Sequence, residues 1–206
     1  MLAILNITAP IFMIMAMGYF SVRFNLFDRE QLAGMGKFVL KIGLPMLVFH
    51  AIATKPLAEV IRPAYLAGYA LASVLSFFAG WAVSKLRGQN GIQASLNGLG
   101  TGMSNTGFIG YPLLAMAFRS AAGVYFAMNV LVENLLILPL MLAMIDAAQG
   151  GADWRSLAVR IVKNLLKNPM IIAMIIGLVF AMLSIPVPVA IDKVTNMLAT
   201  ASSPLA

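Results

Sequence analysis

Six apolar runs, each about as long as a bilayer is thick, constrain this chain more than any other feature. A helical span needs about 20 mainly apolar residues. The chain is 61% hydrophobic and 10% charged, whereas soluble domains carry about 25% charged residues. The sequence therefore predicts an all-α integral membrane protein. The runs cover residues 4–22, 32–53, 63–84, 92–118, 123–145 and roughly 169–185, and a seventh begins near residue 189.

Basic residues between the runs predict how the chain crosses the membrane. The first, third and fifth connections hold eight Lys and Arg residues, and the second and fourth hold three. Because cytoplasmic loops carry the excess of Lys and Arg, we expect the odd-numbered connections in the cytoplasm and the N-terminus outside. The net charge of +7 then belongs to loops beside an anionic leaflet, and we expect no nucleic-acid partner.

The stretch "DWRSLAVRIVKNLLK", between the fifth and sixth runs, has the pattern of an amphipathic helix. Its apolar residues, from Trp154 to Leu166, follow helical spacing, and its basic residues lie off that stripe. The pattern predicts a helix on the cytoplasmic membrane surface, within a loop that covers residues 146–168. A calmodulin-type target helix has the same pattern and is the alternative interpretation.

The residue types argue against an enzyme. The chain has no cysteine and one histidine, so it can form neither a Cys/His dyad nor a His-rich metal site. Asp146 and Asp153 form no paired-acid motif. We therefore expect no catalytic residues, no metal and no other cofactor.

The motif "SNTGFIGYP" interrupts the fourth run with residues that suit a helix interior poorly. Because Pro112 lacks an N–H and clashes with the preceding turn, we predict a helix to about Met103, a break near 105–112, and a half-helix with Pro112 in its first turn. The N-terminus of such a half-helix suits an anion, and Asn105 and Thr106 would add side-chain donors. The alternative is a kinked helix that packs through its glycines.

Four further polar side chains lie in apolar runs. An intramembrane carboxylate is costly, so Glu133 is a functional candidate that faces a cavity and is protonated or paired during a transport cycle, with Asn129 one turn before it. The alternative is a permanently protonated acid that holds helices together. Lys41 is a site candidate or a snorkelling side chain. His50 is a titrating group or a hydrogen-bonded structural histidine.

Three helix breakers recur at one constant spacing, which predicts an internal repeat. Pro10 pairs with Pro169, Gly18 with Gly177 and Pro45 with Pro204, and the difference in residue number, called here the repeat offset, is the same in every pair. Five spans separate the two copies, so the second copy is inverted across the membrane, as in secondary transporters. Residues 1–145 would form the first repeat and 169–206 the start of the second. A complete second copy would end near residue ~318, so we expect the second repeat to be incomplete.

Three stretches resemble the auxin efflux carrier family, which includes the plant PIN proteins. "GYFSVRFNLFDREQLAGMGKFVLKIGLPMLVFHAIA" resembles its first two spans, and "SNTGFIGYPLL" is similar to its fourth-span motif. "KNPMIIAMIIGLVFAM", with the pair Asn168 and Pro169, resembles its sixth span. The resemblance covers essentially the whole chain. The short connection between spans five and six is similar to bacterial members, which implies a bacterial inner (plasma) membrane.

The resemblance implies inverted five-helix repeats with a broken crossover helix, a fold like that of sodium–proton antiporters and bile acid symporters. Spans one, two, six and seven would form a scaffold and the others a transport part that moves like an elevator. An anionic substrate would bind beside the crossing of spans four and nine. The implied substrate-binding residues are Asn105, Thr106, Gly107, Phe108, Pro112, Pro45 and Phe49. The family also implies a homodimer, and proton or sodium coupling is open.

The predicted function is a secondary transporter of small organic anions, carboxylates such as malonate or malate. Auxin-like acids are disfavoured because Val48 stands where plant carriers have a small polar residue. Two alternatives remain. One is an inactive or regulatory membrane fragment or assembly partner that lacks its second half, and the other is a channel-like pore.

Overall fold

All regular secondary structure in the described part of the chain is helix, which confirms the all-α class. A computed structural model describes residues 2–151 and 154–205, without the side chains of residues 2–7, Arg119, Trp154 and 203–205. The first helices are α1 Leu2–Arg23, α2 Arg29–Phe38, α3 Leu44–Ala53, α4 Leu57–Val60, α5 Pro63–Leu86 and α6 Gly91–Gly102. The later helices are α7 Tyr111–Phe118, α8 Ala122–Val132, α9 Leu138–Ala148, α10 Trp154–Lys167, α11 Pro169–Met182 and α12 Val189–Leu205.

Continuous apolar helices of spanning length support the membrane assignment. Among the described residues, three are long and apolar enough to cross a bilayer: Arg29–Ala53, Leu57–Leu86 and Ala122–Ala148. The pair Arg155–Lys167 and Pro169–Met182, bent by 74°, makes a fourth if it is counted as one span. Since α1 itself runs over 22 residues, helices cover each of the apolar runs.

Three of these segments widen into a π-helical turn just before a proline. In each turn the residue preceding the proline donates its backbone N–H to the carbonyl five residues back. The pairs are Leu44 to Val39, Tyr111 to Thr106 and Leu138 to Glu133. A proline ring clashes with the carbonyl four residues earlier, and one extra residue in the turn relieves that clash. The turns are Val39–Gly43, Thr106–Gly110 and Glu133–Ile137.

The fourth run is broken, as predicted, but the break is earlier and shorter than expected. The helix ends at Gly102, and the break comprises Met103 to Asn105 instead of residues 105–112. The second half is helical from Thr106, so Pro112 lies beyond its first turn. The prediction placed the whole effect of Pro112 in an unwound stretch, whereas the π-turn accommodates that proline within a helix.

The chain divides into two compact units. Unit 1 comprises Met1–Val60, Asn105–Ala127 and Ala173–Ala206, and unit 2 comprises Ile61–Ser104 and Met128–Ile172. Spans one, two and seven and most of span six belong to unit 1, span three and most of span five belong to unit 2, and span four is divided at its break. This division differs from the implied grouping, which keeps span four whole.

Unit 1 is held together by helices that approach closely at small residues. A Cβ added at Gly43 would overlap the Ser202 hydroxyl, so α12 touches the first π-turn directly. A Cβ at Gly123 would lie 2.6 Å from Ala51 Cβ. Close approach of this kind increases van der Waals contact between helices that gain little from burial in lipid.

Unit 2 is built on the α5–α6 hairpin and α9. Phe77 of α5 is fully buried, and Gly98 and Gly102 of α6 lie over it. A Cβ at Gly102 would lie 2.8 Å from Phe77 Cβ, so only glycine fits there without a shift. These glycines pack helices together, as the alternative interpretation of the motif predicts for this upstream part. Val132, Ile137 and Met141 complete the core around Phe77.

Two helix ends in unit 1 have the same backbone geometry. The non-glycine residues with positive φ in the described part are Asn25, at 57°, and Ser184, at 50°. After α1, the N–H of Leu26 bonds the carbonyl of Ser21, and after α11 the N–H of Ile185 bonds the carbonyl of Phe180. Each is the six-to-one bond of a Schellman cap around a left-handed residue. In each cap the acceptor, the left-handed residue and the donor are Ser21, Asn25 and Leu26, or Phe180, Ser184 and Ile185. Each residue of the first cap is separated from its counterpart in the second by the repeat offset.

Candidate functional site

Two tyrosines of α5 face two polar residues of α8 and its π-turn in unit 2. Tyr65 donates its hydroxyl to Asn129 Oδ1 at 2.8 Å, and Tyr69 donates its hydroxyl to Glu133 Oε1 at 2.7 Å. Both pairs are spaced by four residues, so each helix presents its two members on one face. The tyrosine rings are stacked with their planes 2° apart. The result is a two-rung polar ladder, defined here as Tyr65, Tyr69, Asn129 and Glu133.

Ser104 joins this ladder to the helix break. Its hydroxyl donates to Glu133 Oε1 at 3.1 Å and lies 3.0 Å from the Tyr69 hydroxyl. One carboxylate oxygen therefore accepts two hydroxyl donors. Glu133 is 4% exposed, and it opens the third π-turn. A buried carboxyl group needs such partners because burial without hydrogen bonds is costly.

The arrangement can respond to the charge of Glu133. An ionised carboxylate only accepts hydrogen bonds, whereas a protonated one also donates. Protonation would therefore weaken the hydrogen bonds from Tyr69 and Ser104, because a neutral carboxyl oxygen accepts less strongly than a carboxylate oxygen. Because Ser104 lies within Met103–Asn105, that change would reach the interruption of the fourth span directly.

The half-helix that follows the break begins in unit 1 with a capped N-terminus. Asn105 Oδ1 accepts the backbone N–H of Phe108 at 3.3 Å, and the Asn105 carbonyl accepts the N–H groups of Ile109 and Gly110. Oδ1 serves as the N-cap, so the Nδ2 donor of Asn105 takes no part in the cap, and its role toward a substrate stays a prediction. Thr106 is buried at 3% exposure, so its side chain faces protein.

One predicted substrate residue of the fourth segment, Gly107, approaches the second segment at Leu44 in unit 1. A Cβ at Gly107 would lie 2.8 Å from Leu44 Cδ1, next to buried Pro45, so glycine permits this approach. Phe49 lies elsewhere: its ring is 5.6 Å from that of Phe180 and packs against Ala173. Phe49 therefore packs against α11 and against Val187, which follows α11. Phe108 and Pro112 are half-buried.

The two basic candidates of the second segment differ in their surroundings. His50 Nδ1 lies 3.2 Å from Asp192 Oδ1 and 3.3 Å from Thr195 Oγ1, so it ties α3 to α12. The choice between a titrating and a structural role for His50 stays a prediction. Lys41 is exposed on the first π-turn. Across residues 2–151 and 154–205, no group of three His, Cys, Asp or Glu side chains is placed to hold a metal ion.

The Asn-Pro pair caps α11 in unit 2. Asn168 Oδ1 accepts the backbone N–H of Met170 at 3.0 Å, and Asn168 Nδ2 donates to Asn134 Oδ1 at 2.7 Å. Pro169 occupies the first helical position, where its missing N–H would have no helical partner. Asn134 therefore holds a cap, while its neighbour Glu133 belongs to the ladder.

Sequence reasoning missed Tyr65, Tyr69 and Ser104 as partners of the intramembrane carboxyl. A signal was present, because the two tyrosines repeat the four-residue spacing of Asn129 and Glu133. Matching polar spacings on two apolar segments indicate that their polar faces can pair. Ser104 was part of the quoted motif, but it was not assigned a role.

The similarity to known proteins covers nearly the whole chain. Residues 3–206 match the family described as "Membrane transport protein". The chain belongs to this family. The predicted resemblance to auxin efflux carriers is confirmed, since plant members are among the similar proteins.

The similar proteins are named as transporters and carriers, in agreement with the prediction of a non-enzyme. "Uncharacterized transporter YfdV" of Escherichia coli (strain K12) is 23% identical over 201 residues, which are 96% of this chain and 64% of that protein. "Putative malonate transporter" of Rhizobium meliloti (strain 1021) is 24% identical over 208 residues, 100% of this chain and 65% of that protein. "Probable auxin efflux carrier component 1b" of Oryza sativa subsp. japonica is 34% identical over 125 residues, 59% of this chain and 22% of that protein. The chain thus spans slightly under two-thirds of the first two relatives.

Proposed function

We propose that this chain acts in the secondary transport of small organic anions, carboxylates such as malonate or malate, by elevator-type alternating access. The observation that carries the proposal is the break at Met103–Asn105 followed by the capped half-helix Thr106–Phe118, all within an apolar run. Irregular backbone at membrane depth is tolerated where it lines a cavity or is buried in protein. Interrupted spans of this type form the substrate sites of secondary transporters.

The half-helix favours an anion over a cation or a neutral solute. Its first N–H groups, at Thr106 and Gly107, carry the positive end of the helix dipole. Asn105 Nδ2 adds a side-chain donor beside them. A carboxylate can accept the Gly107 N–H and the Asn105 Nδ2 donor together, as anions do at other helix N-termini. The name of the Rhizobium meliloti relative, a putative malonate transporter, agrees with this chemistry.

Alternating access is the mechanism expected of an inverted repeat, and two structural observations support such a repeat in this chain. The Schellman caps at Asn25 and Ser184 are separated by the repeat offset that relates the helix breakers. Gly43 and Ser202, which touch each other, are separated by the same offset. Equivalent positions of two repeats touch where the pseudo-two-fold axis passes between them. The axis would then pass between the first π-turn and α12.

Glu133 is the proposed coupling group. It would take up and release a proton during the cycle. The hydrogen bonds from Tyr69 and Ser104 would change in strength with its charge, and Ser104 lies in the helix break. The second rung of the ladder, Tyr65 with Asn129, would keep the two helices aligned. A sodium ion at the same oxygens is the alternative, and a dependence of transport on the sodium gradient instead of the proton gradient would favour it.

Counterflow in proteoliposomes tests transport. Vesicles loaded with unlabelled malonate should accumulate labelled malonate, with the Rhizobium meliloti relative as positive control. Asn105→Ala should raise KM, because it removes both a substrate donor and the N-cap. Asn90→Ala is the matched control, since Asn90 caps α6 by the same contact at 2.8 Å, and it should leave KM unchanged. Non-saturating flux would indicate a pore, and equal effects of the two variants would refute the assigned site.

The proposed topology places the N-terminus outside a bacterial inner membrane, in a homodimer. Because the chain has no cysteine, single introduced cysteines report accessibility without background. Exposed Glu30 and Glu59 lie in the first and second connections. In right-side-out vesicles, Glu59→Cys should react with an impermeant maleimide and Glu30→Cys should not. The reverse labelling pattern would overturn the orientation, and a monomer in mixed-label pull-down would overturn the dimer.

A further inference from the structure

The amphipathic helix α10 uses only half of its apolar surface to contact the protein. Leu157, Ile161 and Leu165 are half-buried on the side where α10 packs against α9. The ion pair between Arg160 and Asp146, 3.7 Å apart, fixes the same side at the end of α9. At 100° per residue, these apolar residues occupy an arc of about 80°.

The other half of the apolar surface lines an open groove of about 450 Å³. Val159, Val162 and Leu166 are 65%, 53% and 61% exposed there, although all three are aliphatic. Lys163 and Lys167, one helical turn apart, line the same groove with the aliphatic stems of their side chains. The exposed stripe is about 10 Å long, from the rise of about 1.5 Å per residue. A ligand for this groove needs an apolar portion along the stripe and an anionic group at the lysines.

We propose that this groove binds one anionic phospholipid of the bilayer leaflet. An acyl chain lies along Val159, Val162 and Leu166, and the headgroup phosphate lies between Lys163 and Lys167. The helix is suited to this position because α11 begins two residues after Lys167, at a 74° bend. A helix that precedes a span at such an angle lies near the interface, where acyl chains and phosphates meet.

The same observations disfavour protein occupants. A calmodulin-type partner wraps around a target helix, but α9 and the Arg160–Asp146 pair already hold one side of α10. A second copy of α10 would place lysines against lysines, which repel. A phospholipid needs only the exposed half and complements both its apolar and its basic parts.

Lipid retention tests the proposal on the full chain. The protein is reconstituted in nanodiscs of four parts phosphatidylcholine to one part phosphatidylglycerol, extracted in mild detergent, and weighed by native mass spectrometry. We expect one retained phosphatidylglycerol per chain. Each lysine near an anionic surface contributes about fivefold, so Lys163→Gln with Lys167→Gln should weaken retention about 25-fold. Lys85→Gln with Arg87→Gln, which removes the same charge at the C-terminal end of α5, should leave retention unchanged.

Three further measurements test separately the phosphate contact, the acyl-chain contact and competition by free phosphate. Raising the salt concentration about tenfold should weaken phosphatidylglycerol retention on the unmodified chain, because screening acts on the phosphate contact, and this arm needs no folded variant. Val162→Ser with Leu166→Ser should weaken retention with the lysines intact. Excess inorganic phosphate should not displace the lipid. Equal retention of phosphatidylcholine and phosphatidylglycerol, insensitivity to the paired lysine change, or displacement by phosphate would each overturn the proposal.

Discussion

Replacement of Gly43 by alanine tests the contact between the first π-turn and α12. A Cβ at this position would overlap Ser202 Oγ and lie 2.8 Å from Ser202 Cβ. The serine cannot swing away freely, because its hydroxyl donates to the carbonyl of Leu198 at 2.6 Å and the residue is 1% exposed. Accommodation therefore requires α12 to move or that hydrogen bond to break.

The expected change in the free energy of unfolding is the sum of two destabilising contributions and one stabilising contribution. Overpacking of a close contact costs about 1–3 kcal/mol, and loss of the Ser202 bond costs about 1 kcal/mol more. Alanine is better than glycine within a helix by about 0.5–1 kcal/mol. We expect Gly43→Ala to lower the free energy of unfolding by about 1–3 kcal/mol. Gly36, in α2, has nothing within 4 Å of its added Cβ, so Gly36→Ala should be neutral or stabilising.

Thermal unfolding in detergent, monitored by circular dichroism, measures the difference in stability between the Gly43→Ala and Gly36→Ala variants. For a chain of this length about 1 kcal/mol shifts Tm by roughly 2–4 °C. Gly43→Ala should unfold several degrees below the original chain and Gly36→Ala at or above it. Ser202→Gly should restore much of the loss in the Gly43→Ala background, because it removes both clashing atoms. Equal Tm values for the two alanine variants, or no rescue by Ser202→Gly, would refute the reasoning.

Three other changes probe the ladder, the α11 cap and a π-turn. Tyr69→Phe should change the pH profile of counterflow while Tyr65→Phe leaves it unchanged, because Tyr69 donates to Glu133 whereas Tyr65 donates to Asn129; identical profiles would contradict the coupling role. Asn168→Ala should lower the free energy of unfolding by about 1–2 kcal/mol, measured by thermal unfolding, since it removes the α11 cap. Pro139→Ala should let the third π-turn relax toward α-helix, detected as altered hydrogen exchange of the Leu138 amide, and unchanged exchange would disprove the proline's role.

Local sequence signals predicted the helices, and the errors in the predicted helix boundaries also have local causes. Pro112 indicated an interrupted fourth segment, but the predicted break lies too far along the chain because two local structures, a side-chain cap and a π-turn, were not predicted. Asn105 caps the second half with its own side chain, and a π-turn absorbs the proline. The apolar stripe of α10 was predicted, whereas its division between α9 and an open groove depends on tertiary packing.

The partners of Glu133 could not be assigned from one sequence. Tyr69 is 64 residues away along the chain, and only packing of α5 against the third π-turn brings the two together. The carboxyl's position in an apolar run indicated that it needs partners, without naming them. His50 is similar, since its contact with Asp192 joins the second segment to the last helix of the chain.

The π-turns also determine how these segments can change in length. Each holds one residue more than an α-helical turn over about the same rotation, so deletion of that residue would restore ordinary helix and leave the two flanking faces close to their present orientation. Deletion of Leu135, within Glu133–Ile137, would therefore keep the faces of α8 and α9 near their present register, whereas deletion of one residue from an ordinary α-helical stretch rotates the flanking faces by about 100°. The π-turns beside these prolines are thus the places where a span can lose one residue and keep its helix faces.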